Sequence, residues 1–151
     1  MVVVREGRME DAAGVAEMCS LLWPEATVLE NLPDVEAVLR TGRYGTLPGV
    51  VLVAEYAGEL VGFLTVGLRS HADGCDMAQA VGFIEGWFVR EAARRCGVGG
   101  ALMRGAEEWA RRQGCREMGS DTWIDHELSQ QAHAGLGFEV VDRCVHFRKA
   151  L

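Results

Sequence analysis

The chain has 151 residues, of which 49% are hydrophobic and 25% charged, and its net charge is −7. That length and balance describe one domain, residues 1–151, able to bury a core without metals or disulfides, and no stretch is long enough to cross a bilayer. The acidic balance argues against a nucleic-acid partner, which needs clustered Lys and Arg, and favours a cationic ligand.

Val2 to Arg5 reads as a short β-branched strand. Glu10 to Leu22 follows as a helix with Val15, Cys19 and Leu22 on one stripe, and Pro24 stops it. Asp34 to Arg40 reads as a second, shorter helix, with Pro33 near its start and Gly42 just past its end. Val50 to Tyr56 and Leu60 to Leu68 are strands joined at Ala57-Gly58 as a hairpin. Residues 70–79 form a polar loop, and Val81 to Val89, apolar on both faces, reads as a central covered strand. Gly99 to Gln113 is a helix with Leu102, Ala106, Trp109 and Ala110 on one side and Gly114 after it. Cys115 to Ser120 is a strand, His126 to Gly135 a helix and Val140 to Arg148 a final strand. The mixed order predicts an α+β (mixed α/β) fold with one sheet.

Five cysteines, Cys19, Cys75, Cys96, Cys115 and Cys144, are scattered, and none forms a C-x-x-C pair. This pattern favours free thiols in a reducing cytoplasm over a disulfide framework or a zinc site. The start, Met1 to Arg5, lacks the basic start and apolar core of a signal peptide. No metal is expected.

The strongest motif follows strand 81–89: Arg94-Arg95-Cys96-Gly97-Val98-Gly99-Gly100, leading into a helix. Glycines let backbone N–H groups converge on one point, the helix start adds free donors, and arginines add charge-assisted bonds. Together these make a pyrophosphate site. A Walker loop is excluded by the missing Gly-Lys-Ser/Thr, and a dinucleotide loop by the wrong glycine spacing.

Arg94-x-x-Gly97-x-Gly99 resembles the (Q/R)-x-x-G-x-(G/A) loop of the GNAT superfamily of N-acetyltransferases, and the element order matches that fold from about residue 2 to residue 148. The resemblance implies one central, mostly antiparallel sheet flanked by helices, with acetyl-CoA as cosubstrate. It implies that the amides of the loop, Arg95, Cys96, Gly97, Val98, Gly99 and Gly100, hold the pyrophosphate, and that Trp87, Phe88 and Val89 pair their backbone with the pantetheine arm. Leu136-Gly137-Phe138 matches the closing L-G-F signature.

Glu85 sits inside an apolar strand between Ile84 and Gly86, where a carboxylate is costly unless paired or wet. It is either a structural ion-pair partner or the general base and anchor for an amine. Gly82 and Gly86 beside it predict a bulge or a close backbone approach. A backbone N–H near Phe88 or Val89 is placed to stabilise a thioester oxyanion. Where the wider superfamily often carries a tyrosine that protonates the leaving thiolate, this chain has His133. It is either an acid or sulfur-binding group in that role, or a satisfied helix histidine.

Five segments carry a closer resemblance, to the aminoglycoside 6′-N-acetyltransferases: Leu22-Trp23-Pro24, residues 73–76, residues 83–89, residues 114–122 and Leu136-Gly137-Phe138-Glu139. It implies ring packing on Trp23, amine contacts from Glu85 and Asp121, a loop contact at His71, and further drug-facing positions at His126 and Asp142. It also implies a homodimer. Trp23 can equally be core, and Asp121 a turn cap. Acetylation of another small polyamine or amino acid, and a non-catalytic acyl-CoA sensor, stand as alternatives.

Overall fold

In the computed structural model, which describes residues 1–151, the chain divides into two compact units, Met1–Ser120 and Asp121–Leu151. The first unit is a sheet with helices on both faces. Its strands are β1 (Val3–Glu6), β2 (Arg43–Tyr44), β3 (Leu47–Tyr56), β4 (Glu59–Arg69), β5 (Val81–Val89) and β6 (Met118–Ser120). Its helices are α1 (Ala12–Leu22), α2 (Val28–Thr41) and α3 (Val98–Arg112). The order across the sheet is β1-β3-β4-β5-β6, with the short β2 on β3. Every pair is antiparallel except β5–β6, which is parallel because α3 carries the chain back.

Alternation along β3 sorts the core. Val51 and Val53 face α1 and α2, where they join Val15, Met18, Cys19, Val35, Val38 and Phe63. Leu52 faces the other way and packs at Gly105 of α3. On α3, Val98, Leu102, Met103, Ala106, Trp109 and Ala110 are buried, the spacing of one apolar face. Arg5 bridges Asp11 and Glu55 and ties β1 to β3; Asp11, nearly buried, also accepts from the Arg8 N–H.

The hairpin between β3 and β4 turns at Ala57 and Gly58, both with positive φ, the backbone of a tight two-residue turn. A bulge lies between β4 and β5: the register passes from Thr65↔Gly86 to Val66↔Ile84, so Glu85 has no residue opposite it in β4. The predicted bulge is therefore present, and Glu85 is its extra residue.

Several boundaries differ from expectation. The second helix starts at Val28, six residues before Asp34, and runs through Pro33. A reciprocal cap causes this: Thr27 accepts from the Glu30 N–H and Glu30 accepts from the Thr27 N–H. Val28 and Leu32 also pack on the core, which holds the first turns despite the proline. α1 begins at Ala12 after a 3-10 turn at Met9–Asp11. β3 starts at Leu47 because Leu47 and Pro48 pair with β2, a two-residue strand too short to carry a sequence signal. β6 covers only Met118–Ser120, since the Cys115 N–H is drawn to the Ala110 carbonyl as α3 ends.

The second unit holds α4 (Glu127–Gly135), one residue shorter than read, followed by the Gly137 turn. The expected final strand, Val140 to Arg148, forms no ladder. A strand exists through its hydrogen bonds to a neighbour, and no strand in this chain pairs with it. Its Val140, Val141, Val145 and Phe147 are exposed.

Candidate functional site

Strand β5 organises the site. Along β4 its ladder runs from Val81 to Val89. Along β6 it covers only Gly82↔Met118, Phe83↔Gly119 and Ile84↔Ser120. Beyond Ile84 the strand continues to Val89 with its ladder on β4 alone. Glu85 stands just past the end of the parallel ladder, where β6 stops at Ser120, so the bulge lies where that pairing ends. Such an edge can pair with an extended ligand as a strand would.

The loop after β5 is built from local bonds. Arg90 donates its N–H to Val61 O and its Nε–H to Leu60 O, and its guanidinium reaches Glu17 Oε1 at 3.2 Å. It ties the end of β5 to β4 and α1. A 3-10 turn, Glu91–Ala93, follows. Arg94 donates from Nε to Val89 O and its guanidinium lies 5.6 Å from the Phe88 ring. Arg95 and Gly97 both have positive φ, 63° and 78°, which folds the chain sharply into α3. Gly97 is the N-cap and has no side chain to cap the helix. The N–H groups of Val98, Gly99 and Gly100 lie in the first turn, before intrahelical acceptors begin, so together they can hold an anion. Arg94, Arg95, Cys96 and Gly97 are exposed, while the Val98 side chain is buried. Val98 therefore offers its backbone alone. The Trp87 ring packs on Gly99, where an added Cβ would meet ring carbon Cζ2 at 3.2 Å.

Trp23 ends α1 and is half-buried. Its indole lies on Gly86, beside Phe63. The core expectation for Trp23 is met: the ring packs against the core cluster.

The Glu85 side chain is 11% exposed and paired. Arg69, the last residue of β4, donates from Nε to Oε1 at 2.8 Å and from Nη2 to Oε2 at 2.9 Å. The Arg69 guanidinium also lies 3.5 Å from the centre of the Phe83 ring. Tyr44 lies in the field of both groups, and burial, then Glu85, pushes its phenol up, so it is neutral at physiological pH. Burial likewise pushes the Cys19 thiol up to about 11.

Neither Arg69 nor Tyr44 was singled out from sequence. The loop between β4 and β5 is too long for its register to be read, so nothing in the sequence aligns Arg69 with Glu85. Tyr44 belongs to the short β2.

The 70–79 loop is held by its own contacts and by one to Glu117. Gly74 has positive φ, Asp76 accepts from the Ala78 N–H and from Gln79, and the Asp76 N–H reaches Glu117. His71 is exposed, its Nδ1 3.1 Å from Ser70 Oγ.

Asp121, His126, His133 and Asp142 belong to the second unit. Asp121 is exposed. His126 precedes α4, with Nδ1 3.5 Å from Thr122 Oγ1. Asp142 is exposed and accepts from the Arg143 N–H. His133 Nδ1 lies 2.6 Å from the Ser129 carbonyl, and its ring meets Phe138 edge-on at 5.3 Å. Facing a carbonyl, Nδ1 carries the proton.

A strand that runs on past its short parallel neighbour, a capless helix start behind it and a carboxylate at the end of that ladder fit an acyl-transfer fold. The chain belongs to the acetyltransferase (GNAT) family, whose model matches residues 15–138. It is similar to an aminoglycoside N(6′)-acetyltransferase type 1 of Klebsiella aerogenes, 37% identical over 99% of this chain and 97% of that protein. A protein of the same description from Stenotrophomonas maltophilia is 34% identical over 98% of this chain and 93% of its own length. Among solved structures, AAC(6′)-Iy in complex with the bisubstrate analogue CoA-S-monomethyl-acetylneamine superposes with a TM-score of 0.88 at 30% identity. That match covers 100% of this chain and 99% of the other.

Proposed function

We propose that this chain transfers an acetyl group from acetyl-CoA to the 6′-amine of an aminoglycoside, in one domain spanning residues 1–151. Its relatives carry that activity in their names, and one similar structure holds a bisubstrate analogue joining the two substrates. The observation that carries the reading within this chain is Glu85. It is the bulged residue at the end of the β5–β6 ladder, beside the Trp23 ring.

The roles follow from chemistry. The amides of Val98, Gly99 and Gly100, with Arg94 and Arg95 in the loop, hold the pyrophosphate, and Cys96 and Gly97 supply the turn. The backbone of Trp87, Phe88 and Val89 lines the pantetheine arm, and an N–H of this stretch steadies the thioester oxyanion. Glu85 anchors the acceptor ammonium. Once the amine is neutral, its lone pair forms the C–N bond and the C–S bond breaks, with no acetyl-enzyme in between. Glu85, directly or through water, takes the proton released at nitrogen. The thiolate takes a proton from solvent. Trp23 and His71 contact the drug. The acidic net charge favours a polycation.

We also infer a homodimer in the cytoplasm. The exposed apolar residues of 140–147 support a subunit contact, and five free cysteines support a reducing compartment.

The deciding experiment is thiol release from acetyl-CoA with purified protein and two drugs, one with a 6′-amine and one with a 6′-hydroxyl. Turnover on the amine alone is expected. Turnover confined to a polyamine or an amino acid would move the acceptor assignment. CoA binding without turnover on any amine would favour a sensor. Glu85→Gln should lower turnover by about 100-fold or more while sparing CoA affinity, the scale of a lost acid–base group.

A further inference from the structure

The carboxylate proposed to hold the acceptor amine already holds a cation. Arg69 meets Glu85 side-on, one N–H to each oxygen, at 2.8 and 2.9 Å. This fork geometry fixes the plane of a carboxylate as no single contact does. The guanidinium is itself held over the Phe83 ring, its carbon 3.5 Å from the ring centre. Because the bulge leaves Glu85 without a residue opposite in β4, its aim is not set by cross-strand packing. The bond from Arg69, at the end of that same strand, sets it instead.

The pair does not exhaust the carboxylate. An ionised carboxylate has about four lone-pair sites, and the fork uses two. An acceptor ammonium can take a remaining one and share Glu85 with Arg69. It would then stand about 4–6 Å from the guanidinium, close enough for a like charge to disfavour its protonated form. The Tyr44 phenol on β2 feels both charges, and those of Asp34 on α2 and Cys19 on α1. The phenol and the thiol are neutral at physiological pH, and Arg69 is the cation paired with Glu85.

We propose that Arg69 is a positioning residue for acetyl transfer: it fixes the Glu85 carboxylate in the bulge and, by sharing it with the bound acceptor, favours the neutral, nucleophilic amine. The role rests on the reading of Glu85 as the amine anchor. The proton displaced from the ammonium leaves to solvent, so no further reactant is needed. An anchor of Glu85 alone would grip the ammonium more tightly and hold it in the form that cannot attack.

The test compares wild type, Arg69→Gln, Arg69→Met, Arg69→Lys and Glu85→Gln. Methionine keeps an apolar stem over Phe83 and serves as a second neutral variant if Arg69→Gln folds poorly. The measurements are CoA affinity, thermal midpoint, and kcat and KM for a 6′-amino aminoglycoside across pH. The acidic limb of kcat reports groups in the substrate complex. Both neutral variants should move that limb upward by about one pH unit and lower kcat at pH 7 about tenfold. KM should not rise, CoA affinity should hold, and Arg69→Lys should keep the wild-type limb. An unmoved limb in both neutral variants, with loss confined to the thermal midpoint, would make Arg69 a structural strut and overturn the proposal. If Glu85→Gln turns over like wild type, the anchor reading falls and the role of Arg69 with it. If Glu85→Gln is slow while the neutral Arg69 variants keep the wild-type limb, the role of Arg69 alone falls.

Discussion

The Trp23 indole occupies the space of a side chain at Gly86: a Cβ added there would meet ring carbon Cη2 at 2.8 Å, with Phe63 at 3.3 Å behind it. The ring and the core residue leave the new methyl no room, so Trp23 has to move. Gly86→Ala should therefore raise KM for the acceptor, and lower kcat where Glu85 shifts with its neighbour, by about 10- to 100-fold in kcat/KM, the scale of a 1 Å misplacement. Affinity for CoA should stay within about twofold, because the helix-start amides lie outside this contact. Steady-state kinetics beside CoA calorimetry checks both parts.

Gly97 behaves differently, because space is not its constraint. Nothing lies within 4 Å of an added Cβ, but its φ is +78°. An L side chain there costs about 1–2 kcal/mol of backbone strain. Gly97→Ala should weaken CoA binding through a displaced loop, and Gly97→Asn should weaken it less, since asparagine tolerates this conformation. Equal losses in the two variants would point to a blocked amide rather than to strain.

Asp11 predicts an acid-sensitive fold. The Arg5 hydrogen bonds hold its carboxyl below the usual 3.8. A depressed value means the folded state prefers the ionised form, so this contribution is complete above about pH 4–5 and is lost as pH falls through the folded value. Asp11→Asn should destabilise the protein by about 3 kcal/mol at neutral pH, the scale for breaking a buried pair. The difference from wild type should shrink as pH falls below 4. Urea unfolding at pH 7, 5 and 3 measures this.

The exposed 140–147 segment gives a test of assembly. Val145→Asp with Phe147→Asp places charge on two exposed apolar positions of the segment. Sedimentation should show a dimer for wild type and a monomer for the double variant. An unchanged dimer would place the interface elsewhere.

The sequence by itself determined the class of fold and the glycine loop that enters α3. The reason is locality. The buried stripe of α3, the turn at Ala57-Gly58 and the glycines at 97, 99 and 100 each report through residues within a turn or two, and the short-range pattern suffices to read them. Glu85 was also legible, because a carboxylate inside an apolar strand is anomalous wherever that strand goes. Local pattern misled where a competing signal won: Pro33 read as a helix start, although the cap at Thr27 and Glu30 had begun the helix earlier. Val140 to Arg148 has the composition of a strand, but a strand also requires a partner, and composition does not supply one.

Only the tertiary structure decided what surrounds Glu85. That Arg69 meets it depends on the β4–β5 register across a long loop, and that register depends on a bulge whose place is set by packing. Trp23 reaches Gly86 from the end of a helix more than 60 positions away, through the burial of α1 on the sheet. These contacts are long-range in sequence and short in space. They follow from how the helices and strands pack, which no single stretch of the chain encodes.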